Sequence, residues 1–187
     1  MACQGRVGTK NSNWNQKSGR KWFAYGLALD GETTAAFKGE GGVKFPPLPA
    51  GTEASLEGHA IVFTGSSPRF KGRVATLAPL SGERVQGVLY ELDAAQWPAV
   101  EAFEKSLGGQ ARAVKVRVGK ELVEATAFVL GASDAPEIDE GFLAALLRGM
   151  ASAKLPDGYI KARAAEALLV ERVQRVGREK GLIKERR

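Results

Sequence analysis

The stretch from Gly72 to Lys105 constrains the fold of this chain more than any other part of the sequence. Residues 74–77 favour an extended conformation, and Ser81-Gly82 interrupts that run before a second extended segment at 85–92. The second segment has apolar side chains on much of both faces, as a strand covered on both sides would have. Asp93 is then placed to cap a helix. The stretch therefore predicts a strand, a turn, a strand and a helix, in that order.

Glu104 lies on the wrong face of this predicted helix. At about 100° per residue, and with Trp97 at 0°, Glu104 falls at about 340°, inside the apolar arc and next to Val100. A carboxylate on the core-facing side is costly unless it is paired, neutralised or used in chemistry. Two interpretations remain open, a functional acid and a side chain that reaches solvent from the helix end. The apolar arc itself comprises Trp97, Val100, Phe103 and Leu107.

Composition limits the class of protein. With 187 residues, 44% of them hydrophobic and 26% charged, the chain is typical of one globular domain with tails. No apolar run reaches the roughly 20 residues that cross a bilayer, and the N-terminus does not resemble a signal peptide. Cys3 is the only cysteine and His59 the only histidine, which disfavours disulfides, a metal site and a histidine-based catalytic triad. We expect a metal-free protein of the reducing cytoplasm.

The net charge of +6 is concentrated at the two ends of the chain. Residues 1–22 carry +5 and residues 172–187 carry another +5, which leaves the middle at −4. This distribution argues against a nucleic-acid-binding core. The tails could still contact nucleic acid or an acidic partner through weak, salt-sensitive interactions, and solvated tails are the alternative. We predict a flexible basic tail at 1–20, a domain at 21–165 and a basic helix or tail at 166–187.

The rest of the chain predicts an α+β fold. Strands are expected at 20–25, at 55–63 and in a hairpin formed by 114–118 and 124–130, with a long irregular connection at 33–52. A helix with an apolar face from Phe142 to Met150 follows. The last predicted helix has Leu168, Leu169, Val173 and Val176 at helical spacing. Strands first and helices later indicate a largely antiparallel sheet of barrel-like form. No Walker loop, dinucleotide-binding glycine motif, nucleophile elbow or zinc spacing is present.

An ordered set of short segments resembles the γ-glutamylcyclotransferase-like family over about Trp22 to Arg163. The resemblance implies a small mixed, largely antiparallel β-barrel flanked by helices. The segments are Phe23-Ala24-Tyr25-Gly26, Gly72-Arg73-Val74-Ala75-Thr76-Leu77, Val85-Gln86-Gly87-Val88-Leu89-Tyr90-Glu91-Leu92, the helix with Glu104, Gly149, and Leu155-Pro156 followed by Tyr159.

The same resemblance implies an activity that needs no cofactor. In the family, the α-amine of a γ-glutamyl substrate attacks its own γ-carbonyl, forms 5-oxoproline and releases the attached amine. Glu104 matches the glutamate that serves as general acid and base. The loop after the first strand and an aromatic residue of a later helix would hold the substrate. These substrate-binding positions are Tyr25, Gly26, Leu27, Ala28, Leu29 and Phe142.

Several of these positions depart from the family pattern. Leu27 and Ala28 replace a serine and an asparagine, Ala111 stands where a tyrosine is expected, and Phe142 lacks a tyrosine hydroxyl. A site that has lost polar groups should reject a polar ligand strongly. We therefore expect a less polar γ-glutamyl or amide-like substrate, or else a non-catalytic descendant of the enzymes. A third hypothesis is a binding or scaffold module that acts through its basic ends.

Overall fold

A computed structural model describes residues 19–180 of the chain. Most of the predicted N-terminal tail, including Cys3 and Trp14, lies outside the described residues, as do residues 181–187. The predicted boundary between 165 and 166 falls within one continuous helix. The division into tails and domain otherwise stays a prediction.

Five strands close into a barrel in the order β1-β3-β2-β4-β5. Antiparallel pairs join β1 to β3, β3 to β2, β2 to β4 and β4 to β5. A parallel contact between β1 and β5, at Trp22 and Thr126, closes the barrel. The expected mixed, largely antiparallel barrel is confirmed. The strands are β1 Arg20–Ala24, β2 Thr52–Gly65, β3 Val74–Leu92, β4 Gln110–Val118 and β5 Glu121–Val129.

The predicted turn at Ser81-Gly82 is wrong, because β3 is one continuous strand of 19 residues. Its pairing with β2 passes from Arg84 opposite Glu57 to Pro79 opposite His59, so four residues of β3 bulge outward against one of β2. Gly82 adopts a positive φ of 85° within the bulge. The glycine that suggested a chain reversal therefore forms a bulge, a role that glycine also serves in sheets.

Four helices accompany the barrel within the described residues: α1 Gly31–Ala35, α2 Gln96–Ser106, α3 Glu140–Ser152 and α4 Asp157–Glu179. The connection at 33–52 is less irregular than predicted, because it includes the end of α1 and a 3-10 turn at Glu40–Gly42. Another 3-10 turn, Leu27–Leu29, follows β1. Within residues 19–180 no helix combines the length and the apolar character needed to cross a membrane.

The core lies inside the barrel and beneath α2 and α3. Trp22, Phe23, Val100, Phe103 and Leu146 are fully buried there. The apolar arc predicted for α2 is confirmed, since Trp97 and Leu107 are also buried. The apolar spacing of α4 has a different outcome: Leu168, Leu169 and Val173 are exposed. The side of α4 that packs on the protein instead includes the buried Arg163, Ala167 and Gly177.

Candidate functional site

The last turn of α2 fixes the position of Glu104. The Glu104 carbonyl accepts hydrogen bonds from the N–H groups of Leu107 and Gly109, while the Gly108 N–H donates to Lys105. Gly108 has a φ of 89°. This is a Schellman termination, in which a left-handed glycine closes the helix end. Its consequence is that Glu104 lies three residues before the C-terminal cap of α2, on a backbone held by three hydrogen bonds.

The start of α2 is fixed as the sequence predicts. Asp93 Oδ1 accepts hydrogen bonds from the N–H groups of Ala95 at 2.8 Å and Gln96 at 2.7 Å. The helix, which begins at Gln96, thus has its first free N–H groups satisfied by a carboxylate. Both ends of the element that carries Glu104 are therefore anchored.

The loop after β1 forms the opposite wall of the site. Tyr25 is buried and its hydroxyl donates to the Phe128 carbonyl on β5. The 3-10 turn that follows is closed by hydrogen bonds from the Leu29 N–H to Gly26 and from the Asp30 N–H to Leu27. The N–H groups of Leu27 and Ala28 come first in this turn, where no earlier carbonyl of the turn can accept them.

A buried ion pair holds this loop against α3. Asp30 is 1% exposed, and its two carboxylate oxygens accept from Arg148 Nε at 2.8 Å and Nη2 at 2.7 Å. The Thr33 N–H also donates to Asp30, at the start of α1. Burial pushes the pKa of Asp30 upward, but the hydrogen bonds from Arg148 and Thr33 outweigh it and hold the pKa below its usual value. The ion pair therefore holds the turn and the start of α1 against α3.

One small cavity brings most of the predicted site residues together. Glu104 shares it with Tyr25, Gly26, Leu27 and Phe142. Ala28 and Leu29 do not line it, although both are buried. The volume of the cavity is about 30 Å³, which is close to the share of one water molecule in the liquid, about 30 Å³. The remaining lining residues are Ser67, Ala75, Leu107, Phe128 and Leu130.

Burial raises the pKa of Glu104 to about 8. The Glu104 side chain is half-buried and borders the cavity. Within residues 19–180 no side chain donates a hydrogen bond to it and no cation pairs with it. The carbonyl groups at the C-terminal end of α2 also disfavour a negative charge at this place. Glu104 is therefore a carboxyl group whose protonated and ionised forms are both populated near neutral pH.

Tyr25 stays neutral beside Glu104. Burial raises its pKa well above the usual value, and the negative charge of Glu104 adds to the increase. The phenol can therefore donate a hydrogen bond but cannot act as a base at physiological pH.

Glu101 shows how differently a glutamate behaves one turn earlier on the same helix. It lies 2.9 Å from Lys105 Nζ and accepts a hydrogen bond from Trp97 Nε1 at 3.2 Å. The hydrogen bond from Lys105, foremost, holds the pKa of Glu101 below its ordinary value. Two acids on one helix are thus separated into an ionised surface group and a half-buried, proton-holding group.

Sequence reasoning missed the partner of Asp30 and half of the cavity wall. Asp30 carried a usable signal, because an aspartate before Gly31-Glu32-Thr33 is typical of a helix N-cap. Arg148 lies 118 residues away, so only the fold brings it to Asp30. Ser67 lies in the connection between β2 and β3 and Leu130 directly follows β5, and neither has a local pattern that indicates a site. Among residues 19–180 no group of three potential metal ligands comes together.

Part of the chain matches a known protein family. Residues 84–162 match the sequence model of the AIG2-like family, a segment that contains Glu104 and Phe142 but not the Tyr25 loop. Residues 84–162 are thus similar to the AIG2-like family, and the described chain has the γ-glutamylcyclotransferase-like fold. The resemblance found in the sequence is confirmed at this level. No curated protein matches the sequence.

Solved structures show the same architecture at low sequence identity. A γ-glutamyl cyclotransferase is 18% identical, with a TM-score of 0.61 over 76% of this chain and 85% of the other. A yeast γ-glutamyl cyclotransferase specific to glutathione is 15% identical, with a TM-score of 0.57 over 84% of this chain and 97% of the other. YkqA from Bacillus subtilis is 22% identical, with a TM-score of 0.59 over 80% of this chain and 55% of the other. At these identities the likeness establishes the fold.

Proposed function

We propose that the protein is a γ-glutamylcyclotransferase-type enzyme in which Glu104 is the general acid and base. The observation that carries the proposal is a carboxyl group with a pKa of about 8 that shares a cavity with Tyr25, Gly26 and Phe142. Strongly perturbed carboxyl groups in concave sites are typical of catalytic acids and bases. The substrate is a small γ-glutamyl amide, and the reaction uses no cofactor.

The proposed reaction needs little more than proton transfer. The substrate's α-ammonium gives a proton to the Glu104 carboxylate, and the freed amine attacks the γ-carbonyl carbon of the same molecule. A C–N bond forms in the new five-membered ring, and the bond from that carbon to the departing nitrogen breaks. Glu104 returns the proton to that nitrogen, and the ring nitrogen gives up its second proton to the departing amine, so the products are 5-oxoproline and an ammonium ion. Because nucleophile and carbonyl belong to one molecule, holding the chain folded removes much of the entropic barrier.

A pKa of about 8 suits both proton transfers. A general acid-base group works best when its pKa lies near the operating pH, because it must both take up and release a proton. At neutral pH the smaller part of the Glu104 population is ionised and able to start the reaction. Activity should therefore rise with pH up to about 8 and level off above it.

The wall of the cavity favours a substrate less polar than those of the wider family. Leu27, Phe128, Leu130 and Phe142 surround Glu104 with carbon. The polar groups that remain for the glutamyl head are the Ser67 hydroxyl and backbone N–H groups, and the latter do not depend on side-chain identity. We infer that the released amine is predominantly apolar, since the site offers the departing half of the substrate few hydrogen bonds.

A non-catalytic role is the second candidate, and the size of the cavity favours it. A cavity of about 30 Å³ holds no glutamyl group unless Phe142 or Leu27 moves, whereas ligand pockets usually measure about 300 to 1,000 Å³. In this alternative the apolar replacements have filled the old site, and Glu104 remains as a buried acid without a substrate.

Product formation separates the two candidates. The protein is incubated with a panel of γ-glutamyl amides whose amine ranges from ammonia to hydrophobic amines and amino acids, and 5-oxoproline is measured. The enzyme hypothesis expects turnover that is lost in Glu104→Gln and kept in Glu101→Gln, with both variants folded by circular dichroism. Glu101→Gln is a matched control, because it changes the same residue type on the same helix outside the cavity.

The opposite outcome is equally clear. If no amide of the panel yields 5-oxoproline while the wild-type protein remains folded, the enzyme proposal fails. A thermal shift with 5-oxoproline or a γ-glutamyl amide, lost when Phe142 is enlarged to Trp, would then show whether the site still binds such ligands.

A further inference from the structure

One side of α4, next to a groove of about 550 Å³ between this helix and β2, carries an apolar seam that stays exposed. Leu169 is 60% exposed and Val173 is 58% exposed. At about 100° per residue, all five members of the seam fall within an arc of about 80°. Four of them are exposed and Val176 is half-buried. The members are Ala162, Ala165, Leu169, Val173 and Val176.

The α4 helix already packs on the rest of the protein through other side chains. Arg163, Ala167 and Gly177 are buried against the protein on the neighbouring arc of α4, and Leu169 and Val173 line the groove beside that arc. The seam is thus a second apolar face on a helix that needs only one to dock. Contiguous exposed apolar surface of this kind marks an interaction site.

The spacing of the seam identifies its partner. Its members are separated by 3, 4, 4 and 3 residues, a mean of 3.5 that is characteristic of helices packed in a coiled coil. The series reads the same in both directions about Leu169. A second copy of α4 laid antiparallel therefore presents the same spacing to the first.

We propose that the protein forms a symmetric dimer in which two α4 helices pack antiparallel across this seam. Leu169 then meets Leu169 of the second copy on the two-fold axis. The small residues meet larger ones, since Ala165 is level with Val173 and Ala162 is level with Val176. Alternation of small and large side chains across a helix pair allows close packing. The paired region is about 21 Å long, at 1.5 Å per residue.

Charge at the edge of the seam supports the same arrangement. Lys161 and Glu179 lie 18 residues apart, five full turns of a helix, and so project from the same side of α4. Both are exposed, and neither forms an ion pair within residues 19–180. In the antiparallel pair, Lys161 of one copy lies within about 3 Å along the axis of Glu179 of the other. The symmetry gives two such ion pairs per dimer.

The first test measures the molar mass of the full chain in solution by light scattering across a concentration series. We expect a dimer of about 40 kDa, twice the 19.9 kDa of one chain. Leu169→Glu places two carboxylates on the two-fold axis and should give a monomer at every concentration. Leu168→Glu is the matched control: Leu168 is 63% exposed, is the adjacent leucine, and lies about 100° around the helix from Leu169, the residue on the two-fold axis. It should remain a dimer.

Two further variants test the register. In a Cys3→Ser background, Leu169→Cys should form a disulfide-linked dimer under mild oxidation, whereas Leu168→Cys should not. Lys161→Glu should weaken the dimer, and Lys161→Glu combined with Glu179→Lys should restore it. A monomeric wild-type protein overturns the proposal. So does a dimer that persists in Leu169→Glu, or equal cross-linking of the two cysteine variants.

Discussion

At the scale of single residues, two glutamates on one helix have different pKa values because their surroundings differ. Glu101 and Glu104 are three positions apart on α2, yet a lysine and an indole surround the first and carbon surrounds the second. The helical period accounts for the difference, because a step of three residues turns the side chain by about 300°. The same period that builds the core thus places one acid in water and the other against the barrel.

The raised pKa of Glu104 predicts a definite pH dependence of stability. Its ordinary value is 4.5 and its value in the folded protein is about 8, so the folded state keeps a proton that the unfolded chain loses first. The free energy of unfolding should therefore fall as pH rises between these two values and stay level above about 8. Glu104→Gln cannot ionise and should be more stable than wild type at alkaline pH by a few kcal/mol.

Urea unfolding of both proteins at about pH 4 and about pH 9 checks this sign. The two should be nearly equal in acid, and the variant should be more stable in base. Glu101→Gln serves as the control of opposite sign: its pKa is lowered, so its loss should destabilise the protein above pH 4.5 by no more than about 1 kcal/mol. A difference between Glu104→Gln and wild type that does not change with pH would contradict the assignment.

A second prediction at this scale concerns the ion pair beneath the loop. Arg148→Ala leaves the buried Asp30 carboxylate with the Thr33 hydrogen bonds alone. Removing one partner of such a pair leaves an uncompensated charge in the interior. Because Arg148 itself is 43% exposed, we expect a measurable loss of stability that is smaller than the full cost of an unpaired buried charge. Thermal unfolding measures it.

The control for that prediction is the neighbouring acid. Glu32 lies 3.1 Å from Arg148 but is 77% exposed. Glu32→Gln should change stability by no more than about 0.5 kcal/mol. Equal effects of the two substitutions would show that Asp30 does not depend on Arg148.

At the scale of elements, α3 and the loop after β1 meet backbone to backbone. A methyl group at Gly149 would lie 2.8 Å from the Asp30 nitrogen and 2.9 Å from the Leu29 carbonyl carbon. Neither atom can move without shifting the turn that forms the cavity wall. The glycine singled out in the sequence thus sets the distance between α3 and the candidate site.

Gly149→Ala should therefore destabilise the protein by about 1 to 3 kcal/mol, as overpacking generally does. Gly158→Ala is the contrasting control, since a methyl group there meets nothing within 4 Å. It lies in α4 and should stabilise the protein by up to about 1 kcal/mol through helix propensity. Thermal unfolding of the two variants measures both, and a Gly149→Ala variant as stable as Gly158→Ala would exclude the close contact.

Most elements could be predicted from the sequence because their signals are local. The apolar arc of α2, the cap at Asp93 and the hairpin between β4 and β5 each depend on residues within one or two turns of chain. The continuity of β3 could not be predicted, because Ser81-Gly82 permits either a reversal or a bulge. Pairing with β2, which lies earlier in the chain, decides between them.

The candidate site, too, could be predicted only in part from the sequence. The helical period placed Glu104 on the core side, and the family resemblance supplied Tyr25, Gly26, Leu27 and Phe142, which the barrel brings to one cavity. The size of that cavity and the support from Arg148 depend on contacts between distant segments. The exposure of Leu168 and Leu169 could not be predicted either, because spacing shows that a helix has an apolar face but does not show what covers that face.

At the scale of the whole molecule, charge and fold occupy different parts of the chain. Residues 1–18 carry three positive charges and residues 181–187 a net two, which leaves only +1 of the total +6 on residues 19–180. The buried core extends from Trp22 to Ala167. The terminal segments therefore account for nearly all of the excess positive charge.

A chain shortened to residues 19–180 should keep the fold and lose its affinity for polyanions. Its melting temperature should stay within a few degrees of the full chain, because α4, which ends at Glu179, is left whole. On a heparin column at low salt the full chain should be retained and the shortened chain should not, since phosphate- and sulfate-like contacts scale with the number of cations. Retention should decrease steeply with added salt. A shortened chain that is held as tightly as the full one would place the polyanion-binding surface on the barrel or its helices and would exclude the basic ends as the binding elements.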